Sequence, residues 1–350
     1  MKPLALALTV WLLACAPSAS PPAAQPGLGA PTAPAAATAA GASGSAPSPT
    51  APPVLERVRL AYPATAYSFL PLWVAIDQGF HAANGIEAEP MLTAAAVAIT
   101  GLTTGDMDFT YSLGSAARAA ARGLPVRVVE QSGDAPQLYI LAQPELRTMA
   151  DLRGKVLSPN SISGTTGQTA ILLLRRHGVD PQSVQLMPGV DATRQMEMLR
   201  QRQIDAVLLG PPFPALARRE GYNQLASAPD ELSFSFTGLS TSQDIIARRG
   251  DMLRRVIKSE VEALRYIHAD RAGALRIMER RYEAEPEVAA QAYDLTVSSF
   301  SRDGAISREG MENVLALDKE EGAIPENVQF EDVADPRPIQ DVHRALGLVR

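Results

Sequence analysis

Arg59–Pro90 reads RLAYPATAYSFLPLWVAIDQGFHAANGIEAEP, and this stretch decides the fold of the 350-residue chain. A short apolar strand is predicted at its start, over 58–61, followed by a polar and aromatic loop, 62–69. An amphipathic helix over 70–78 comes next, with Leu72, Trp73, Ala75 and Ile76 spaced for a buried face. Gly79 and Gly85 punctuate the exit, and a second strand over 86–90 closes the unit. A strand, a helix and a strand of this size make a βαβ unit. Its first loop lies at the carboxyl end of the first strand, where open α/β sheets bind ligands. That loop carries Tyr, Thr, Ser, Phe and backbone, and no nucleophile, acid or metal ligand. Such groups hold a molecule rather than convert it.

Composition narrows the classes. The length suits two domains. The net charge of −6 argues against a nucleic-acid footprint, which needs clustered Lys and Arg. Cys15 is the sole cysteine, so neither an internal disulfide nor a cysteine-based metal cluster is expected. His81, His177, His268 and His343 are scattered along predicted helices and read as ordinary surface or helix-end residues. No metal, cofactor or catalytic residue is expected.

The first 53 residues read as targeting and tether. Lys2 precedes a largely apolar run, 4–14, too short to span a bilayer and suited to a signal peptide over 1–14. Leu12-Leu13-Ala14-Cys15 resembles a bacterial lipobox, which implies lipidation at Cys15. The other reading is an ordinary signal peptide with Cys15 incidental. Residues 16–53 hold Ala, Pro, Ser, Gly and Thr without a charge. Such a stretch buries too little surface to offset chain entropy, and its prolines favour an extended tether. An exported, lipid-anchored protein is expected, in the periplasm or on the outer face of the cell membrane.

From about Val54 onward strands and helices alternate. MDFTYSLGSAARAAARG (107–123) and IDAVLLGPPFPALARREG (204–221) share one plan: Asp, strand, glycine, small or proline residues, helix, glycine. The repeat is weak but points to two similarly built α/β lobes. Between them, a strand ending at Ser158 leads into Pro159–Thr166, a loop rich in hydroxyls before a strongly apolar helix over 167–177. Hydroxyls and free N–H groups at a helix N-terminus suit a carboxylate, sulfonate or amide oxygen. Helix capping by Ser163 or Thr165 would account for part of the pattern. No Gly-Lys-Ser/Thr follows, so this is not a nucleotide phosphate loop. Asp191 suits a helix cap or, alternatively, a ligand contact. Residues 232–242 read as a returning strand, and the remainder as helices, with a break near 270–273 in the longest.

These motifs resemble a known family. Pro71-Leu72-Trp73-Val74-Ala75, Gln78-Gly79-Phe80, Gly105-Asp106-Met107-Asp108-Phe109, Ala121-Arg122-Gly123-Leu124-Pro125-Val126, Ala150-Asp151-Leu152-Arg153-Gly154-Lys155 and Gln203-Ile204-Asp205-Ala206-Val207 occur in the order found in substrate-binding proteins of ABC importers. The branch most similar is the nitrate/sulfonate/taurine and thiamine-precursor type. The resemblance spans about 54–267. It implies an α/β, two-lobed periplasmic-binding-protein fold of type II, with two crossing hinge strands and a helical C-terminal part. Lobe one would be 54–138 plus 240–350 and lobe two 139–239, with crossings near 137–142 and 234–240. The implied contact positions are Thr65, Ser68 and Phe69, then Ser112 and Ser115, then Ser163, Gly164, Thr165 and Thr166, then Pro212 and Phe213. The implied activity is capture of a small ligand and its delivery to an ABC permease, by a monomer.

None of those loops contains Arg or Lys, while Tyr62, Tyr67, Phe69, Tyr111 and Phe213 supply rings near them. The expected ligand is therefore organic, with an apolar, aromatic or pyrimidine-like body and one polar, carboxylate or sulfonate end. Two other functions stay open. One is the ligand-binding subunit of a sensor. The other is an enzyme of the same fold, such as a thiamine-pyrimidine synthase, which would need a reactive His, Cys or acid that no predicted cleft loop contains.

Overall fold

The computed structural model describes residues 55–348 except Ser163, Val190, Ser233, Glu321 and the side chain of Leu317. The expected signal peptide, Cys15 and the expected tether lie outside the described residues. Strand β1 (Glu56–Tyr62) leads through a 3₁₀ turn into α1 (Leu70–Asp77) and a short α2 (Phe80–Ala83). There follow β2 (Ile86–Leu92), α3 (Ala95–Thr104), β3 (Phe109–Thr110), α4 (Leu113–Ala121) and β4 (Val126–Val128). The chain then crosses to a second sheet, built from β5 (Tyr139–Ala142), β6 (Val156–Ser158), α5 (Thr165–Arg176), β7 (Gln185–Leu186), α6 (Ala192–Arg200), β8 (Ala206–Leu209), α7 (Phe213–Arg219), β9 (Asn223–Ser227) and a short α8 (Ala228–Glu231). It returns as β10 (Ser240–Ser242). The helices α9 (Gln243–Arg248), α10 (Gly250–Ala269), α11 (Arg271–Tyr282), α12 (Pro286–Thr296), α13 (Arg308–Glu320), α14 (Phe330–Val333) and α15 (Arg337–Leu346) complete it.

Both sheets have five strands, in the orders β2-β1-β3-β10-β4 and β7-β6-β8-β5-β9. In each, one late or early strand runs antiparallel among parallel ones: β10 between β3 and β4, and β5 between β8 and β9. This is the α/β, two-sheet architecture that the resemblance implies, with the helical C-terminal part packed on the first sheet.

The opening stretch folds as its pattern dictates. β1 lies between β2 and β3, with Leu60 opposite Pro90 on one side and Phe109 on the other. Val58 and Leu60 pack with Val256 and Ile257 of α10, while Ala61 faces Ala98, Leu102 and Leu113. Helix α1 buries Leu70, Leu72, Val74 and Ala75, whereas Trp73 and Ile76, expected inside, are only half-buried. Covering by α10 and α11 from two directions widens the apolar face beyond one stripe. The second sheet shows the period-two rule in β5: Tyr139 and Leu141 face Met196 and Leu199, and Ile140 and Ala142 face Leu157 and Leu173.

Several expected bounds shift. Tyr139–Ala142, expected within the first crossing, pairs on both sides with β8 and β9 and so belongs to the second sheet. The connection runs ahead of it, over 129–138. Of the returning strand expected over 232–242, Ser240–Ser242 alone joins a sheet. The remainder lies against the first connection, with hydrogen bonds from Ser132 N to Thr237 O at 2.9 Å and Phe236 N to Gly133 O at 3.0 Å. The long helix breaks where expected, because the Asp270 carboxylate accepts from Gly273 N at 2.8 Å and starts α11.

His81 lies at a helix end, in the last turn of α2, but is buried rather than at the surface. It is 2% exposed, and its Nε2 lies 3.3 Å from Glu260 Oε1, off the line of a hydrogen bond. His177 bonds Glu231, and His268 and His343 bond backbone carbonyls, as ordinary helix-borne histidines do.

Candidate ligand-binding cleft

The four predicted contact loops leave the carboxyl ends of parallel strands, β1, β3, β6 and β8. β1 and β3 adjoin, so the loop carrying Thr65, Ser68 and Phe69 sits beside Ser112 and Ser115 on one edge of the first sheet. Thr65 is exposed, while Ser68 and Phe69 are 8% and 5% exposed. β6 and β8 likewise adjoin, which sets the Pro159–Gly164 loop next to Pro212 and Phe213 on the second sheet.

Helix α4 begins at Leu113, a turn earlier than the sequence suggests, because Ala116 N already bonds Ser112 O at 2.9 Å. Ser115 therefore lies in the first turn. The Ser112 hydroxyl, nearly buried, has no hydrogen-bond partner among the described residues. Helix α5 also begins early, at Thr165. The preceding loop folds back over its first turn. A Cβ on Gly167 would lie 1.8 Å from Ile162 O, so only glycine permits this approach.

The hydroxyls of this loop divide by task. Ser161 Oγ accepts from Gly164 N at 3.1 Å, and Thr166 Oγ1 accepts from Ser161 N at 3.0 Å while donating to Ser161 O at 3.1 Å. Those two shape the loop. Thr165 turns instead to the other sheet. Its Oγ1 would lie 2.6 Å from a Cβ on Gly114 of α4, so the two helix starts meet without a side chain between them. Ser163 lies outside the described residues.

Sequence reasoning missed Arg118. It is 4% exposed, on the second turn of α4. Its Nη1 donates to Gln168 Oε1 at 2.6 Å, and its Nη2 reaches Ser115 Oγ at 3.4 Å and Thr165 Oγ1 at 3.3 Å. Burial lowers its pKa to about 10, which leaves it charged at neutral pH. No carboxylate of the described residues hydrogen-bonds to it. The loops hold no cation, but a guanidinium stands directly behind them. A buried charge hydrogen-bonded to neutral acceptors is costly, and the nearby Asp318 charge offsets part of that cost. The positive ends of α4 and α5 add to its field, so the junction suits an anionic or strongly polar group.

The rings are less available than the sequence suggests. Tyr111 turns its hydroxyl to Glu260 Oε1 at 2.6 Å, and Tyr67 packs edge-on against Tyr282; both rings are buried. Tyr62 and Phe213 keep partial exposure, Tyr62 edge-on to Trp73 at 5.4 Å. Phe213 packs against the second-sheet cluster of Met196 and Leu209, and neither it nor Pro212 is joined by a described hydrogen bond to the α4–α5 junction. Asp191 caps α6, accepting from Arg194 N at 2.8 Å. A hollow of about 960 Å³ lies elsewhere, beside Gln131 and Asp134, and includes none of the junction residues. Among the described residues no three His, Cys, Asp or Glu converge for a metal. No described helix is long and apolar enough to cross a membrane.

Comparison with known proteins gives a consistent frame. Residues 66–274 match the protein family described as NMT1/THI5 like. The riboflavin-binding protein RibY of Chloroflexus aurantiacus is 26% identical over 227 residues, which cover 62% of this chain and 64% of that relative. The match thus spans a little under two thirds of the relative's length. Among solved structures, the alkanesulfonate-binding protein SsuA from Xanthomonas axonopodis pv. citri, bound to MOPS, superposes with a TM-score of 0.68 at 16% identity, covering 82% of this chain and 100% of that one. The periplasmic nitrate-binding protein NrtA from Synechocystis PCC 6803 gives 0.71 at 12% identity, covering 85% and 90%. At these identities the likeness establishes the periplasmic-binding-protein fold.

Proposed function

Because the chain belongs to the NMT1/THI5-like family, we propose that it is an extracytoplasmic binding protein that captures a small organic molecule between its two sheets and delivers it to an ABC importer. The observation that carries this reading is the meeting of α4 and α5, start to start, with Arg118 behind Ser115 and Thr165. The elements that meet there come from different sheets, so a ligand seated at the junction is held by both at once. Rotation about the two connections, 129–138 and 232–239, opens and closes the cleft, a hinge motion of known kind. The protein acts as a monomer, anchored outside the cytoplasm through a lipid on Cys15.

The ligand has an apolar or aromatic body and one anionic or strongly polar end. Arg118 and the two helix starts receive that end; Tyr62 and Phe213 retain surface for the body. Riboflavin and the sulfonates are the first molecules to try, because a relative is named for one and a structural neighbour holds the other. The protein is read as a carrier rather than a catalyst, because the junction offers hydroxyls, backbone donors and one guanidinium.

The test is thermal unfolding against riboflavin, alkyl and aryl sulfonates, carboxylates, pyrimidines and nitrate. A ligand at 100 times its Kd adds about 2.7 kcal/mol. A rise for one organic class, lost in Thr165→Ala, supports the reading. Nitrate binding best in direct competition would overturn the ligand class.

A further inference from the structure

Helix α5 is two-sided in a way its own sheet does not require. Ala170, Leu173 and Leu174 pack into the second-sheet core. Thr165, Gln168, Leu172 and Arg175 recur at i, i+3, i+7 and i+10, which is one stripe of a helix. Every member of that stripe reaches the first lobe. Thr165 meets Gly114 and Arg118, Leu172 packs against the first-sheet core, and Arg175 pairs with Glu320 of α13 at 2.9 Å.

Gln168 occupies the centre of the stripe and is 7% exposed. Its Oε1 accepts from Arg118 Nη1 at 2.6 Å, and its Nε2 donates to Asp318 of α13. Asp318 in turn lies 3.4 Å from Arg122 Nη2. A side chain from the second lobe thus separates a buried cation from a buried carboxylate, both of the first lobe. The neutral amide offers an acceptor to the one and a donor to the other, and its length spans both.

We propose that Gln168 is the positioning residue that latches the two lobes together, its amide completing the Arg118–Asp318 pair only when α5 is docked. This deepens the carrier reading and rests on it, since closure is the step it governs. Withdrawal of Gln168 leaves a guanidinium and a carboxylate facing water, which suits an open state. Its return gives both a neutral partner and brings Thr165 to the helix junction in the same movement. Ligand seating and lobe docking therefore share one helix face.

The experiment is a distance measurement that needs no ligand. Nitroxides are placed at Val97→Cys on α3 and Arg147→Cys before β6, both exposed, in the full chain with Cys15→Ser. Three proteins are compared: the parent, Gln168→Leu and Gln168→Glu, each first shown to be folded by circular dichroism. The charged groups around position 168 are Arg118 of α4, Arg122 just beyond its end and Asp318 of α13, with Arg175 and Glu320 further along. In Gln168→Leu the short-distance population should fall about tenfold or more relative to the long one, as for loss of hydrogen bonds to charged groups. In Gln168→Glu one carboxylate oxygen keeps Arg118 while the other replaces the amide donor against Asp318, so in the docked form two carboxylates touch and share a proton. The docked form then binds a proton more tightly than the undocked one, so the short-distance population should rise as pH falls. The parent and Gln168→Leu should lack that pH-dependent rise. Equal distance distributions in the parent and Gln168→Leu, or a pH-independent Gln168→Glu, would overturn the proposal. Should no compound of the panel bind while the distances behave as expected, the carrier reading falls and the latch stands.

Discussion

Arg118 and Thr165 belong to different sheets, 47 residues apart in sequence, and the guanidinium Nη2 lies 3.3 Å from the hydroxyl Oγ1. The first sheet's cation is thus completed by the second sheet's hydroxyl. Substituting Arg118→Gln should lower affinity for the ligand identified in the panel by about tenfold or more, the scale of a hydrogen bond to a charged group. Calorimetric titration of the folded variant checks this. Arg118→Lys should recover only part of the loss, because an ammonium cannot reproduce the planar fork that reaches Gln168 and Thr165 together.

Gly114 sits where a methyl group would press on Thr165 Oγ1 at 2.6 Å. Overpacking of this kind costs about 1–3 kcal/mol. In Gly114→Ala most of that cost falls on the docked arrangement, since the tight contact is with Thr165 and Arg118 Nη1 of the same helix lies at an ordinary 3.4 Å. Ligand affinity should drop while the unfolding temperature of the ligand-free protein changes little. A large loss of ligand-free stability would contradict this account.

Glu130 lies buried in the connection between the sheets, accepting from Leu239 N at 3.0 Å and from Ser132 Oγ at 2.9 Å. Burial pushes its pKa well above the ordinary 4.5, and the nearby Glu260 charge pushes the same way. The folded protein therefore holds this proton more tightly than the unfolded chain. Below pH 4.5 the group is neutral in both states and has no effect; as pH rises from there toward the folded pKa it removes stability. Glu130→Gln should gain in unfolding temperature over the parent as pH rises, with the difference smallest near pH 4. A difference that does not change with pH would remove the assignment.

Leu60 is fully buried at the centre of β1, between β2 and β3. Leu60→Ala should cost about 2–5 kcal/mol, the range for truncation in a packed core. Chemical denaturation of the ligand-free protein measures it.

The opening βαβ unit was readable because its apolar spacing and glycines agree with one another. The first turns of α4 and α5 were harder. Leu113-Gly114-Ser115 and Thr165-Thr166 look like loop, yet in each case the backbone already forms helical hydrogen bonds there. Arg118 is hidden from a reading of the loops because it lies inside α4. Helical side chains tilt toward the N-terminus, so a residue on the second turn reaches back to the first. The stripe of Thr165, Gln168, Leu172 and Arg175 was visible in the sequence, but its partners were not. Tyr111 and Tyr67 stand near the contact loops in sequence but turn to groups on α10 and α11 that are remote in sequence. β9, with Asn223 and Gln224 at its start, carries too little apolar signal to mark a strand.

The placement of β10 sets the order in which the molecule can be assembled. It fills the gap between β3 and β4, yet it is separated from β4 by the whole of the second sheet. The second sheet needs only residues 139–227, while the first needs 56–128 and then 240–242. On a chain emerging from its N-terminus, the sheet begun first is the last to be finished. Until Ser240 arrives, β3 and β4 offer unpaired edges that invite association with other chains. The span needing protection during synthesis therefore lies at the front of the protein, ahead of a second lobe that can already close on itself.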